Sequence, residues 1–196
     1  MKTQKMNREK NRDASRQFQH QRLWFYRLLV LAMIAAGVHF AVVWVVPRAI
    51  MQRVMDAQLG DQVAGVYFPP MTDASQRRIV MPSPDLLYAL CTYDLSQQPL
   101  HIQANPQWPH YWSVALYASN SDNFMVLNDT QAAGQGLNWL LLGPQAYAQV
   151  PVLPPGAKQV FSPSQRGLLL MRVLVSNYEA DRERVEAARR TLRCQN

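Results

Sequence analysis

The chain has 196 residues and a formal net charge of +7, but this charge is unevenly distributed. The first 27 residues carry eight Lys or Arg side chains against two acids, which leaves 12 basic and 11 acidic groups in residues 28–196. A nearly neutral folded part lacks the basic stripe that contacts with nucleic-acid phosphates require. The composition therefore argues against nucleic-acid binding by the folded part, and indicates that the basic start determines membrane topology.

A run of nineteen residues, 28–46, contains no Lys, Arg, Asp or Glu. Nineteen helical residues cover about 28 Å, close to the ~30 Å thickness of the bilayer hydrocarbon. Trp24 and Trp44 lie near the two ends of the run, where amphipathic rings prefer the headgroup region. The pattern predicts one transmembrane helix with the basic tail in the cytoplasm. His39 is the only ionisable side chain within the run, and we expect it to be neutral and packed or lipid-facing.

A cleaved signal peptide has the same basic start and apolar run, so this alternative stays open. Signal peptides have an apolar core of about 7–15 residues followed closely by a small-residue cleavage site, whereas this run is longer, which favours a retained anchor. The predicted organisation is a cytoplasmic tail at 1–27, a transmembrane helix at 28–46, a juxtamembrane helix within 47–64 and a β-rich domain at 65–196 on the outer side. The apolar face of the juxtamembrane helix is expected to lie on that domain or on the outer leaflet.

Beyond Gly65 the chain has short apolar runs separated by Pro, Gly, Asn and Asp, which is typical of all-β domains. Leu100, Ile102 and Ala104 alternate with His101 and Gln103, so the first three are expected in the core. The fold class is predicted to be mainly β, a sandwich or jelly roll with an N-terminal transmembrane helix and a C-terminal helix. The predicted strands are 79–81, 86–93, 100–103, 111–117, 123–127, 139–142, 159–161 and 168–175.

The C-terminal helix is predicted over 179–193, capped by Asn177, with its charges forming a solvated face. Two cysteines, Cys91 and Cys194, lie on the presumed outer side, where an oxidising compartment permits a disulfide. Cys91 sits in an apolar stretch that is more typical of a buried small hydrophobe, so the sequence leaves the disulfide open.

The chain contains no Gly-rich phosphate loop, Gly-x-Ser-x-Gly elbow, His-Glu-x-x-His helix or paired Cys-x-x-Cys ligands. Only His101 and His110 could share a metal, and no third ligand is evident. The aromatic segment 106–112 could floor a sugar or lipid pocket, although we expect Trp112 in the core and leave Tyr111 open. No metal and no cofactor are predicted.

Five short motifs, taken in order, resemble the bacterial family called domain of unknown function 1254. They are Ser83-Pro84-Asp85-Leu86-Leu87-Tyr88, Tyr93-Asp94-Leu95-Ser96-Gln97-Gln98-Pro99-Leu100, His110-Tyr111-Trp112-Ser113, Asn123-Phe124 and Leu140-Leu141-Leu142-Gly143-Pro144. The resemblance implies a β-rich domain in the bacterial envelope and frequent association with a sister domain of unknown function 1214. This chain ends too soon to hold the sister domain, so a separate membrane-anchored protein is expected to supply it.

Several polar positions of the family pattern are replaced here, which lowers the expectation of catalysis. Ser83 stands for the family's Asn, Leu86 for its Thr and His110 for its Arg, while Ala118 occupies the position of a usual Asp. The resulting hypothesis is a single-pass inner-membrane protein whose periplasmic β domain binds a partner protein or an envelope component, with no catalytic residue assigned. The alternative is a hydrolase-like envelope enzyme acting on a lipid or glycan through a pocket formed by Asp85, Tyr88, Tyr111 and Asn123.

Overall fold

The computed structural model describes residues 2–59, 65–72, 82–145 and 152–195, and of these it describes the side chains of 19–57 and of residue 65 onward. It divides into two compact units, 1–46 and 47–196. The predicted strand at 79–81 and residues 60–64 of the segment predicted to hold the juxtamembrane helix lie outside the described residues.

The first unit is helical and belongs to helix α1, Lys2–Leu59, which has Pro47 inside it. Within this helix, residues 19–57 contain a window apolar enough to cross a membrane, with none of that window buried. Its large apolar side chains are exposed, for example Phe40 at 72%. Length and composition therefore support a possible membrane-spanning helix.

The end of α1 that belongs to the second unit packs on the β domain. Met51 and Met55 are buried against Leu168. Asp56 forms an ion pair with Arg166 at 2.8 Å. The apolar face of the juxtamembrane helix was expected to lie on the β domain or on the outer leaflet. The structure shows this face in contact with the β domain.

Within the described residues, nine strands form two sheets. The first sheet has the order β1 (Gly65–Tyr67), β2 (Leu86–Asp94), β8 (Arg166–Leu174), β4 (Trp112–Ala118) and β5 (Asn123–Asn128), and the second has the order β7 (Lys158–Phe161), β6 (Leu137–Leu142), β3 (Leu100–Ala104) and β9 (Arg193–Gln195). Neighbouring strands are antiparallel, except that β6 and β7 are parallel.

The core lies between the two sheets and follows from the period-two alternation of their strands. Leu87 and Tyr93 of the first sheet belong to the same buried cluster as Leu100, Ile102 and Trp139 of the second. The predicted core positions on β3, including Ala104, are confirmed at 3% exposure or less. The mainly β, sandwich-type fold with an N-terminal apolar helix and a C-terminal helix is thus confirmed.

A disulfide joins the two sheets. Cys91 on β2 and Cys194 on β9 are bonded across the core, with Cα atoms 6.7 Å apart and a sequence separation of 103 residues. Cys91 is fully buried, as the sequence favoured for a small core residue. It also forms the disulfide that the sequence left open.

Three short elements were not predicted: β1, β9 and helix α2 (Asp129–Ala132), which Asn128 caps. The C-terminal helix α3 runs over Tyr178–Arg189 with Asn177 as its cap, so the prediction of a helix reaching 193 was wrong. The chain leaves the helix at Arg190 because residues 193–195 pair with β3 as strand β9.

Candidate functional site

The strand register defines two ends of the sandwich. At the Tyr111 end, the main-chain N–H of Val175 donates to the main-chain oxygen of Asp85 at 2.8 Å. The main-chain N–H of Leu174 donates to the main-chain oxygen of Tyr111 at 2.9 Å. At the Asn123 end, Asn123 pairs with Tyr117. Trp112 and Tyr117 are five residues apart on β4, so the two ends are separated by about 17 Å.

The four residues proposed from sequence to form one pocket are therefore divided between the two ends. Asp85 and Tyr111 flank the end of β8, and both side chains are exposed, Tyr111 at 40%. Tyr88 lies three residues into β2, where its hydroxyl accepts a hydrogen bond from the main-chain N–H of Ser83 at 3.0 Å. Asn123 lies at the opposite end. Strand β5 runs antiparallel to β4, so Asn123, its first residue, lies at the end opposite to Tyr111. The four residues therefore do not line a single pocket.

The aromatic segment contributes mostly to the core. Trp112 is 4% exposed, as predicted, and Trp108 is 7% exposed. The indole N–H of Trp108 donates to the main-chain oxygen of Leu174 at 2.9 Å, and its ring contacts His110 edge-on. His110 and Tyr111 are exposed. The aromatic side chains of this segment that are available to a ligand are therefore those of His110 and Tyr111, and not those of the two tryptophans.

Arg189 is a buried cation that the sequence interpretation placed wrongly on a solvated face. The residue is 3% exposed. Its guanidinium makes two hydrogen bonds to the carboxylate of Glu186, at 2.6 and 2.7 Å, and donates to the main-chain oxygens of Pro69 and Tyr88. Its N–H donors thus find acceptors within the fold, as a buried charge requires. Arg189 joins α3 to β2 and to the segment after β1.

The charge of Arg189 also acts on Glu186. Burial alone would raise the pKa of Glu186, but the hydrogen bonds and positive charge of Arg189, together with the Tyr178 hydroxyl and Arg190, lower it below its usual value. The only sequence signal for this pair is the spacing of three residues on one helix, which is equally common on exposed helix faces.

A second buried polar group surrounds Tyr93 near the Asn123 end. The Tyr93 hydroxyl donates to the main-chain oxygen of Tyr117 at 3.0 Å and lies 3.2 Å from the Ser162 hydroxyl. Burial raises the pKa of Tyr93 to about 12. A neutral phenol with satisfied partners inside the core stabilises the fold and does not supply a general base.

A cleft of about 330 Å³ opens beside strands β3, β6 and β9. The connections 95–99 and 105–111 are short, which places Ala104 at the same end as Trp112, so this cleft also lies at the Tyr111 end. Polar and apolar atoms contribute about equally to its lining, and Arg193 is the one charged side chain among the lining residues. The lining residues are Gln103, Ala104, Asn105, Gln135, Leu137, Thr191 and Arg193. The sequence analysis missed this cleft, since its walls come from segments far apart in the chain.

No group of three or more His, Cys, Asp or Glu side chains suited to a metal occurs among the residues whose side chains the structure describes. His101 and His110, considered as ligands from sequence, have other contacts. His101 lies 2.6 Å from the side-chain oxygen of Asn138, and His110 packs against Trp108.

Comparison with a solved structure from Vibrio parahaemolyticus shows a shared fold. The VPA0106 protein from Vibrio parahaemolyticus is similar with a TM-score of 0.59 at 10% identity, over 80% of this chain and 37% of that one. An uncharacterised protein from Burkholderia cenocepacia matches with a TM-score of 0.42 at 15% identity, over 65% of this chain and 35% of that one. The chain thus spans little more than a third of the length of either.

A search of curated proteins finds no similar sequence. A family model does match, and it covers residues 65–196, which contain the whole β sandwich and helix α3. The five motifs noted from sequence fall within this range. The chain belongs to the family described as protein of unknown function, DUF1254.

Proposed function

We propose that this protein is a single-pass protein of the bacterial inner membrane, with its N terminus in the cytoplasm. Its β domain is held in the periplasm and binds a partner protein or an envelope component there. The apolar window within residues 19–57 is the anchor. Cytoplasmic retention of the eight basic residues before it gives the orientation.

The Cys91–Cys194 disulfide is the observation that carries the periplasmic assignment. The two sulfur atoms come from opposite sheets and are brought together by the fold across 103 residues. Such bonds persist in oxidising compartments and are rare in the cytoplasm of mesophiles. The disulfide requires an oxidising compartment for the β domain, and the basic tail is retained in the cytoplasm. Both requirements are met only if the domain and the tail lie on opposite sides of the membrane.

Binding, rather than catalysis, is favoured by how the polar groups are used. Arg189, Glu186 and Tyr93 are engaged in contacts that hold the fold. The exposed features at the Tyr111 end include Asp85, His110, Tyr111 and the cleft beside Arg193. An exposed aromatic residue at the same end as a cleft with polar side chains is suited to partner recognition. The partner we propose is a membrane-anchored protein that carries domain of unknown function 1214.

The alternative, a hydrolase-like envelope enzyme acting on a lipid or glycan, is favoured by the cleft alone. Its lining offers amide groups and a guanidinium, which can hold a polar substrate, but no pair of carboxylates or nucleophile with a base. Turnover of a labelled envelope glycan or lipid that is lost in Arg193→Ala would support this alternative.

Topology and partner are tested separately. Alkaline phosphatase fused after Asn196 is expected to be active, and green fluorescent protein fused there to be dark, while fusions before residue 28 show the reverse. Cells are denatured in acid, alkylated and analysed by non-reducing electrophoresis, and we expect the disulfide to protect both cysteines from alkylation. Cys194→Ser is the control, in which the unpaired Cys91 is alkylated. Fluorescent C-terminal fusions and free thiols would refute the periplasmic assignment. The partner is tested by purification of the full-length protein from detergent. If no membrane-anchored protein copurifies with it, the proposed partner is refuted.

A further inference from the structure

The apolar segment of α1 has a polar side chain at its centre. His39 is exposed, and its ring meets Phe40 edge-on at 6.0 Å between centroids. Within the described part of the chain, its two ring nitrogens make no hydrogen bond. Water cannot satisfy them in hydrocarbon, so a bilayer raises the cost of leaving them unpaired.

His39 defines one face of the helix, which we call the seam. The other members of the seam lie at successive steps of four and three residues from His39, the spacing by which positions on one helix face meet a neighbour in a left-handed pair. All its members are exposed, including Leu28 at 56% and Val42 at 51%. They are Leu28, Ala32, Ala35, His39, Val42 and Val46.

The composition of the seam suits close contact with another helix. Ala32 and Ala35 are small and lie directly before His39, so a neighbouring backbone can approach there. The opposite face carries Met33 and Trp44 and has no polar side chain between them. Packing on the seam would bring a helix to the one group in the span that needs a partner.

We propose that this seam pairs two copies of the chain through their membrane spans, with His39 meeting His39 of the second copy. All copies insert in the same direction, so their spans run parallel and equal positions face each other. A neutral imidazole has one donor and one acceptor. One ring can therefore donate to the other, and the pair satisfies itself without any further residue. The inference rests on the proposed membrane anchor.

Cysteine cross-linking in isolated membranes tests the seam with the full-length chain. Under mild oxidation, Ala35→Cys is expected to form a disulfide-linked dimer. Met33→Cys, two residues away on the opposite face, is expected to remain monomeric. Wild-type protein is the blank, because Cys91 and Cys194 are already bonded to each other. Equal yields at the two positions, no dimer at either, or a product with the mass of a different partner would overturn the proposal.

Substitution of His39 tests the role of the imidazole. His39→Leu should weaken dimerisation in detergent or lipid by about threefold to twentyfold, the range found for single interhelical hydrogen bonds. His39→Asn keeps a donor and an acceptor and should retain most of the association. Ala35→Leu should weaken it by bulk, whereas Ala41→Leu, away from the seam, should not. An unchanged dimer in His39→Leu would contradict the proposal.

Carbonate extraction separates this inference from the anchor itself. If all variants stay in the membrane but none dimerises, the anchor stands and the pairing fails. If carbonate releases the wild-type protein, the anchor is refuted and the pairing with it.

Discussion

Arg189 on helix α3 donates a hydrogen bond of 3.0 Å to the main-chain oxygen of Tyr88 on strand β2. The same guanidinium binds Pro69 and Glu186, so one side chain links the C-terminal helix, the first sheet and the segment that follows β1. Removal of such a buried cation leaves the two carbonyls without this donor and takes two hydrogen bonds from the Glu186 carboxylate.

Arg189→Ala is therefore expected to lower the free energy of unfolding of the β domain by about 2–4 kcal/mol. Its neighbour Arg190, whose side chain is 62% exposed, is the matched control, and Arg190→Ala should cost less than about 1 kcal/mol. Urea unfolding followed by tryptophan fluorescence measures both. Similar losses in the two variants would mean that burial of Arg189 does not matter.

Glu186 gives a pH dependence with a definite sign. Its pKa is lowered in the folded protein, so its contribution is present above the unfolded value of 4.5 and is lost as the pH falls through the folded value. The difference in stability between wild type and Glu186→Gln should therefore be largest near neutral pH and shrink below about pH 4.5. Thermal unfolding at pH 7 and pH 3.5 checks this, and a difference that widens in acid would contradict it.

The disulfide should contribute a large share of the stability of the domain. Cross-linking across about 100 residues restricts the unfolded chain, and such bonds typically stabilise by about 2–4 kcal/mol. Reduction of the wild-type domain is expected to lower its unfolding midpoint. The double variant Cys91→Ala with Cys194→Ala should start near that lower value and not respond to reductant. If reductant shifts the double variant as well, its effect on the wild type is not due to this bond.

The fold was predictable where a strand carries its own periodicity. Leu100 to Ala104 alternate apolar and polar residues because one face of β3 meets the core, and this pattern is visible without its partners. Strands β1 and β9 have only three residues each, so their pairing depends on β2 and β3 and not on any local pattern. Helix α3 was extended too far because Leu192 continues the apolar stripe, although it is buried from the turn after the helix.

The candidate site was harder to predict because it depends on strand order. Asp85 and Tyr111 lie at the same end because each binds the end of β8, which runs between β2 and β4. These contacts join residues 90 and 63 positions apart in sequence. Asn123 was grouped with them on motif order alone. The burial of Arg189 was missed for a similar reason, since its acceptor Pro69 is 120 residues away.

Gly167 tests the close packing around Tyr93. A Cβ atom at this position would overlap the Tyr93 hydroxyl and the main-chain oxygen of Tyr117, neither of which can move without breaking the hydrogen bond between them. Gly167→Ala is therefore expected to lower the free energy of unfolding of the domain by about 1–3 kcal/mol. Tyr93→Phe removes only the hydroxyl and should cost about 1–2 kcal/mol. A neutral Gly167→Ala variant would show that this contact is not tight.

The Tyr111 end is the surface on which partner binding is expected to depend. Tyr111→Ala should weaken copurification of the partner severalfold, because an exposed aromatic side chain at the centre of a contact contributes more than its neighbours. Tyr67→Ala is the matched control, since Tyr67 is 46% exposed on β1 of the same sheet. Asn123→Ala, at the other end, should also leave binding unchanged. Both tyrosine variants should unfold at the wild-type temperature, so a loss of binding restricted to Tyr111→Ala identifies the recognition surface. A loss restricted to Asn123→Ala would move that surface to the opposite end of the sandwich.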